Sequence, residues 1–430
     1  MMKRELGIIC ALALSSAGHC LAAVTQITPA PELPTSMPWN LKELSQPPAF
    51  RWLDDQSPIR SLAYSGYEYK GRATEVFAYY ATPGSISGDA SKDKNLPAVV
   101  LIHGGGGTAF AEWVLLWAER GYAAIAMDLG AKRLDPPNVD PATGKLTGGR
   151  NIKRHPMENG GPAQGHEQKF NSIGGPKNDH WPYHAVANAI RAHSLIRSFQ
   201  EVDETRTAVT GISWGGYTTC LVASLDNRFK AAVPVYGCGF LHEGESVQKK
   251  AIDALGPELR QKWVKHYDPS SYLPACRVPM FFVNGNKDIH YPLDSYARSI
   301  AAVKADSTIR IKPSMGHSHP AGWRPAEIGL FIDSHCKGAP SLPKLNAPKT
   351  QNNRIIVRYK SAIPLKQASL HYTHDDGLQS KRAWKNRPAT IANEEIDAGA
   401  IPEKSTIWLI TATDERGALV SSQPQFQTNN

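Results

Sequence analysis

The sequence predicts an α/β protein with a doubly wound, mostly parallel sheet, followed by a small C-terminal domain of β-sandwich type. Three observations predict it. Short, continuously apolar runs such as Ala98-Val-Val-Leu-Ile have the composition of strands buried on both faces. These runs alternate with segments of helical periodicity, which implies βαβ units and a parallel sheet. After residue 352 the helical pattern stops and only short strand-like runs remain.

Lys3 and Arg4, an apolar stretch over 6–14 and small residues through Ala23 form the pattern of a secretory signal peptide, 1–23, cleaved near Ala22 or Ala23. The expectation is therefore a periplasmic or extracellular protein. Ala-Gly-His before Cys20 is a poor lipobox, which disfavours a lipid anchor, and no apolar run is long enough for a membrane span. Residues 24–60 are rich in proline and lack periodicity, so they read as an N-terminal strap.

The main domain is expected over 61–337. Strands are predicted over 62–70, 74–81, 98–103 and 122–127, with a helix over 109–120 closed by Gly121 at a left-handed cap. Residues 129–180, dense in Gly, Pro, Asn, Lys and His, form an insertion; so long a loop in a compact domain is usually functional or disordered. Helices over 183–199, 215–224, 293–303 and 325–336 then alternate with strands over 207–211, 231–236, 278–283 and 308–312, broken by a second insertion, 237–275. Residues 338–352 read as a linker, and 353–430 as a β-rich, immunoglobulin-like domain with strands over 354–360, 368–373 and 406–411.

Composition excludes several classes. The 430 residues are 41% hydrophobic and 20% charged, ordinary for a globular protein. The net charge of +9 is spread over scattered Lys and Arg residues, with no basic run and no nucleic-acid motif, so a nucleic-acid partner is not expected. No nucleotide fingerprint is present, so no cofactor is expected. His180 and His184 stand four apart but lack an HExxH or CxxC companion, so no metal site is assigned. Cys220, Cys238, Cys276 and Cys336 remain after the signal segment; three disulfide pairings are open, as are buried free thiols. The oligomeric state is left open.

Gly211-Ile-Ser213-Trp-Gly215 is a G-x-S-x-G pattern between a predicted strand and a predicted helix. That context puts a serine at the apex of a sharp turn, its Oγ projecting from the sheet, with glycines where strand and helix nearly collide. A nucleophilic serine needs an imidazole to take its proton and an acid to orient the imidazole. Asp288 and His317 follow in that chain order, each on a loop leaving the C-terminal end of a predicted strand. Asp294, at a helix start, and His319 are the competing acid and base. The oxyanion needs two backbone N–H donors: Trp214, and Gly105 or Gly106 in the glycine run after the buried strand. His103 reads as structural. In the first insertion, Gln164, His166 and Trp181 are candidate substrate contacts. Tyr372 and Trp384 read as core residues of the C-terminal domain rather than as a glycan-binding platform.

These motifs resemble the dienelactone hydrolase and acetyl xylan esterase-like branch of the α/β hydrolases, close to prolyl oligopeptidase-type catalytic domains. The residues that carry the resemblance are 100–107, 209–217, 229–239, 283–288 and 315–317. It covers about 60–337 and assigns nucleophile, acid and base to Ser213, Asp288 and His317. It implies a serine esterase acting on small acyl esters, acetyl above all, of small molecules or polysaccharides. Dienelactone hydrolases use a cysteine nucleophile where this chain has Ser213, which argues against that reaction. A peptidase or amidase, and a non-catalytic glycan binder, are the alternatives.

Overall fold

The computed structural model describes residues 25–27, 29–30, 32–137 and 153–427. The signal segment expected over 1–23 lies outside the described residues, as does 138–152 of the first insertion.

A nine-stranded sheet forms the centre of the larger domain. In chain order its strands are β1 (Phe50–Asp54), β2 (Arg60–Ser65), β3 (Glu75–Ala81), β4 (Leu96–Ile102), β5 (Ala123–Met127), β6 (Val202–Ile212), β7 (Ala231–Val235), β8 (Met280–Gly285) and β9 (Ser307–Lys312). Across the sheet they run β1-β2-β3-β5-β4-β6-β7-β8-β9. Pairing is parallel from β5 through β9 and antiparallel among β1, β2, β3 and β5. This is the expected α/β-hydrolase architecture. Every residue of β4, β5 and β7 is buried, which explains why their sequences are unbroken apolar runs.

The helices are α1 (Ala111–Glu119), α2 (Trp181–Ile196), α3 (Trp214–Leu225), α4 (Leu293–Ala302) and α5 (Ala326–Cys336). In α2 only Arg191 escapes full burial. Polar residues there find partners: His193 Nδ1 meets Asp226 at 2.7 Å and its Nε2 meets Thr207 at 2.8 Å.

Two expected boundaries shift. The strap carries β1 and a short helix, Leu41–Leu44, capped by Asn40. β1 is an edge strand exposed along much of its length, so neither an apolar run nor a clean alternation marks it. The segment read as linker contains Lys344–Leu345 and Lys349–Gln351, both paired with Arg354–Lys360.

The C-terminal domain is antiparallel, its strands following one hydrogen-bonded path that curls nearly into a barrel. Strands Lys385–Ala392 and Glu395–Ala400 were not expected; their first has alternating exposure and little apolar content. Tyr372 and Trp384 are half-buried against its core. The domain docks on the open edge of the main sheet: Ile311 N–H of β9 donates to Ser421 Oγ at 2.9 Å, and Leu419 N–H donates to Glu327 of α5 at 3.0 Å. Covering an edge strand in this way removes a row of unpaired backbone groups. Cys220, Cys238, Cys276 and Cys336 are all buried free thiols.

Candidate active site

Ser213 occupies the turn from β6 into α3 with φ 59° and ψ −119°, a strained conformation for a residue with a side chain. The flanking glycines make the turn possible. A Cβ on Gly211 would lie 2.3 Å from the Gly215 carbonyl oxygen, and one on Gly215 would lie 2.0 Å from the Ile102 carbonyl oxygen. No side chain fits at either place, so the elbow needs glycine at both.

Three loops at the C-terminal ends of β6, β8 and β9 meet here. His317 Nε2 lies 3.0 Å from Ser213 Oγ, and His317 Nδ1 lies 2.6 Å from Asp288 Oδ2. The second Asp288 oxygen accepts the N–H groups of His290 and Tyr291 at 2.8 and 3.0 Å. Asp288 is thus fully engaged, and its side chain is only 2% exposed. The His317 ring stacks on Tyr236 at 4.6 Å, and the Tyr236 hydroxyl donates to the Gly316 carbonyl at 2.8 Å. The competing residues are elsewhere. Asp294 pairs with Arg298, and His319 Nε2 accepts the Gly104 N–H at 2.9 Å. His103 receives the Leu129 N–H and holds the Gly104 carbonyl, a structural arrangement.

The glycine run separates into distinct roles. The Gly104 N–H goes to His319, the Gly107 N–H to the Gly104 carbonyl, and the Gly106 N–H to Gln164 Oε1 at 3.1 Å. Among the described residues nothing accepts the Gly105 N–H. Trp214, first residue of α3, likewise has no intrahelical acceptor for its N–H. Two unclaimed donors therefore flank Ser213. Gly106, expected as an alternative donor, is corrected: Gln164 holds its N–H, and its φ of 67° marks it as the residue that turns the loop.

The expected substrate contacts divide. Gln164 reaches the glycine run. His166 is exposed, its ring centroid 5.2 Å from that of Phe170. Trp181 is corrected: it is 1% exposed, its indole N–H donates to the Leu129 carbonyl at 2.7 Å, and its ring meets Trp214 edge-on at 5.7 Å. It supports the elbow from beneath. His180 and His184 bond to Tyr267 and to the Asn178 carbonyl, and among the described residues no third ligand joins them.

Sequence reasoning missed two groups. Gln379, buried in the C-terminal domain, donates to the Asp288 backbone carbonyl at 2.8 Å and accepts the Leu293 N–H at 3.1 Å. It ties both ends of the loop that carries Asp288 to the second domain across 91 residues of sequence, and no local pattern signals such a contact. Lys169, in the first insertion, lies with Nζ 4.6 Å from the Trp214 ring centroid and 5.4 Å from that of Trp181.

Residues 59–249 match the acetyl xylan esterase family model. A Yersinia pestis protein provisionally named as a carboxymethylenebutenolidase is 27% identical over 29% of this chain, and the match spans 41% of that protein's length. Among solved structures, the acetyl xylan esterase from Paenibacillus sp. R4 superposes with a TM-score of 0.49 at 20% identity, covering 68% of this chain and 92% of that one. The acetyl xylan esterase from a Thermoanaerobacterium species gives 0.49 at 16% identity, covering 67% and 89%. With the strand order, the elbow and the matched segment together, the chain resembles the acetyl xylan esterase and dienelactone hydrolase-like branch of the α/β hydrolases.

Proposed function

We propose that this chain is an exported serine esterase that removes small acyl groups, acetyl foremost, from carbohydrate esters through an acyl-enzyme. One observation carries the reading: the unbroken hydrogen-bonded line from Ser213 Oγ through His317 to Asp288, beside two unclaimed backbone donors. The acetyl xylan esterase family match supports the ester class, and the N-terminal sequence supports export.

Ser213 Oγ attacks the ester carbonyl while His317 Nε2 takes its proton. Asp288 fixes the imidazole with its Nδ1–H inward, so Nε2 is the free base, and stabilises the cation that forms. The oxyanion is received by the N–H groups of Trp214 and Gly105, the two backbone donors beside Ser213 with no acceptor among the described residues. His317 then protonates the leaving alcohol. Water, deprotonated by the same imidazole, clears the acyl group and restores Ser213.

The test is hydrolysis of 4-nitrophenyl acetate and of longer acyl esters by the mature protein, followed by acetate release from acetylated xylan. The expected result is turnover that falls with acyl length and measurable acetate from the polysaccharide. Cleavage of amide but not ester substrates would replace this reading with a peptidase, and silence on both would leave a binding protein.

A further inference from the structure

We propose that the side of this site next to the oxyanion donors binds a carboxylate carried by the substrate, with Lys169 as the principal counter-charge and Arg154 and Gln164 beside it. The proposal rests on the esterase reading and adds a substrate class to it: esters bearing a carboxylate near the scissile bond.

Three donor side chains gather beside the same short stretch of the glycine run. Lys169 Nζ would lie 3.9 Å from a Cβ on Gly105, immediately beside one proposed oxyanion donor, and it sits over the ring of Trp214, which supplies the other. Arg154 Nη1 donates to the Gly106 carbonyl at 3.0 Å. Gln164 spends its Oε1 on the Gly106 N–H, and its buried Nε2 has no partner among the described residues. Among the described residues neither cation is matched by a carboxylate there. Burial pushes the Lys169 ammonium down to about 8. It is therefore mostly protonated at neutral pH.

Even half-burying an amine without a counter-ion costs free energy, and two indole faces offset only part of that cost. The unclaimed Gln164 amide adds a second unsatisfied donor at the same loop. A bound carboxylate would satisfy both. A phosphate fits less well, because the backbone N–H groups that would form its nest are already taken at Gly104, Gly106 and Gly107. What remains is an ammonium, one amide and a guanidinium edge, a donor set suited to a two-oxygen monoanion.

The experiment compares kcat/KM for matched ester pairs in the wild type, Lys169→Met and Lys169→Arg. On the acyl side the pair is mono-4-nitrophenyl glutarate against 4-nitrophenyl valerate; on the alcohol side, 4-acetoxybenzoate against 4-methylphenyl acetate. The expected result is a carboxylate preference of about tenfold or more on one side, lost in Lys169→Met and kept in Lys169→Arg. A wild type with no preference on either side, or a preference unchanged in Lys169→Met, would overturn the proposal. Should no ester be cleaved at all, calorimetry with N-phenylglutaramate separates the two questions. Binding lost in Lys169→Met would keep the carboxylate site while the esterase reading falls, and no binding to the wild type would remove both.

Discussion

The two sides of the active site are built in opposite ways. Around Asp288 and His317 the polar atoms of both residues are already spoken for, and only the Tyr291 hydroxyl, its ring 6.3 Å from that of His317, is left without a partner among the described residues. Both Asp288 carboxylate oxygens, its backbone carbonyl, the Leu293 N–H and both His317 nitrogens have partners within the protein. On the glycine-run side, donors are left over among the described residues: Gly105, Trp214, Gln164 Nε2 and the ammonium of Lys169. The difference teaches which part of the site orients the protein's own groups and which part waits for a ligand. A base must keep one tautomer and one direction between turnovers, and satisfied bonds hold it there. A surface that stabilises developing charge must keep its donors free until that charge appears.

The largest expected effects break the satisfied side. Ser213→Ala should lower kcat by roughly 10⁶-fold while substrate still binds, measured by single-turnover kinetics. Asp288→Asn should cost about 10⁴-fold, because the amide can hold the wrong tautomer of His317. His319→Ala should cost far less than His317→Ala; equal losses would reassign the base.

The next test sharpens the other side through adjacent glycines. A Cβ on Gly104 would stand 2.7 Å from the Ile212 carbonyl oxygen and 2.9 Å from Ser213 Cβ, whereas one on Gly106 meets open space. Gly104→Ala should therefore displace the elbow and abolish most activity. Gly106→Ala keeps its bond to Gln164 and should cost only the strain of a positive φ, about 1–2 kcal/mol of stability. Similar activity losses in both would show that the run acts as one flexible loop.

Gln379→Ala probes the brace from the second domain. It leaves the Leu293 N–H and the Asp288 carbonyl unpaired in a buried place, a cost of about 1–3 kcal/mol in thermal or urea unfolding. If the brace positions the acid, kcat should fall with KM little changed, and the pH profile of kcat should move; a loss of stability alone would make Gln379 merely structural.

The smallest effect is in the core behind the site. Burial pushes His193 down to about 3, so it stays neutral against Asp226. Burial alone would raise Asp226, but His193 and Arg228 hold it well below the usual carboxylate range. Below the ordinary histidine value of 6.5 the unfolded chain takes up a proton that folded His193 refuses. Stability should thus fall as pH drops from 6.5 toward 3, by about 2 kcal/mol at pH 5 for this one group. Melting curves that stay flat between pH 7 and 5 would contradict the neutral imidazole.

What the sequence made legible follows from the range of each interaction. Ser213 with its glycines is local: the turn and its steric demand lie within five residues, and the pattern states both. Asp288 and His317 were legible through chain order and strand ends, because a parallel sheet brings successive C-terminal ends to one edge. Trp181 was misjudged, since composition cannot tell an aromatic facing a ligand from one wedged under Trp214. Gln379 was invisible, because its contact depends on how the second domain docks on the edge at β9. The strand β1 was missed for a simpler reason: an exposed edge carries little apolar periodicity.

The most direct measurement is covalent labelling with a fluorophosphonate, which reacts with an activated serine, followed by peptide mass spectrometry. One label per chain on Ser213, with activity lost in proportion and protection by substrate, is the predicted result. An unlabelled protein that still turns over esters, or a label on a different serine, would contradict the assignment of Ser213 as nucleophile.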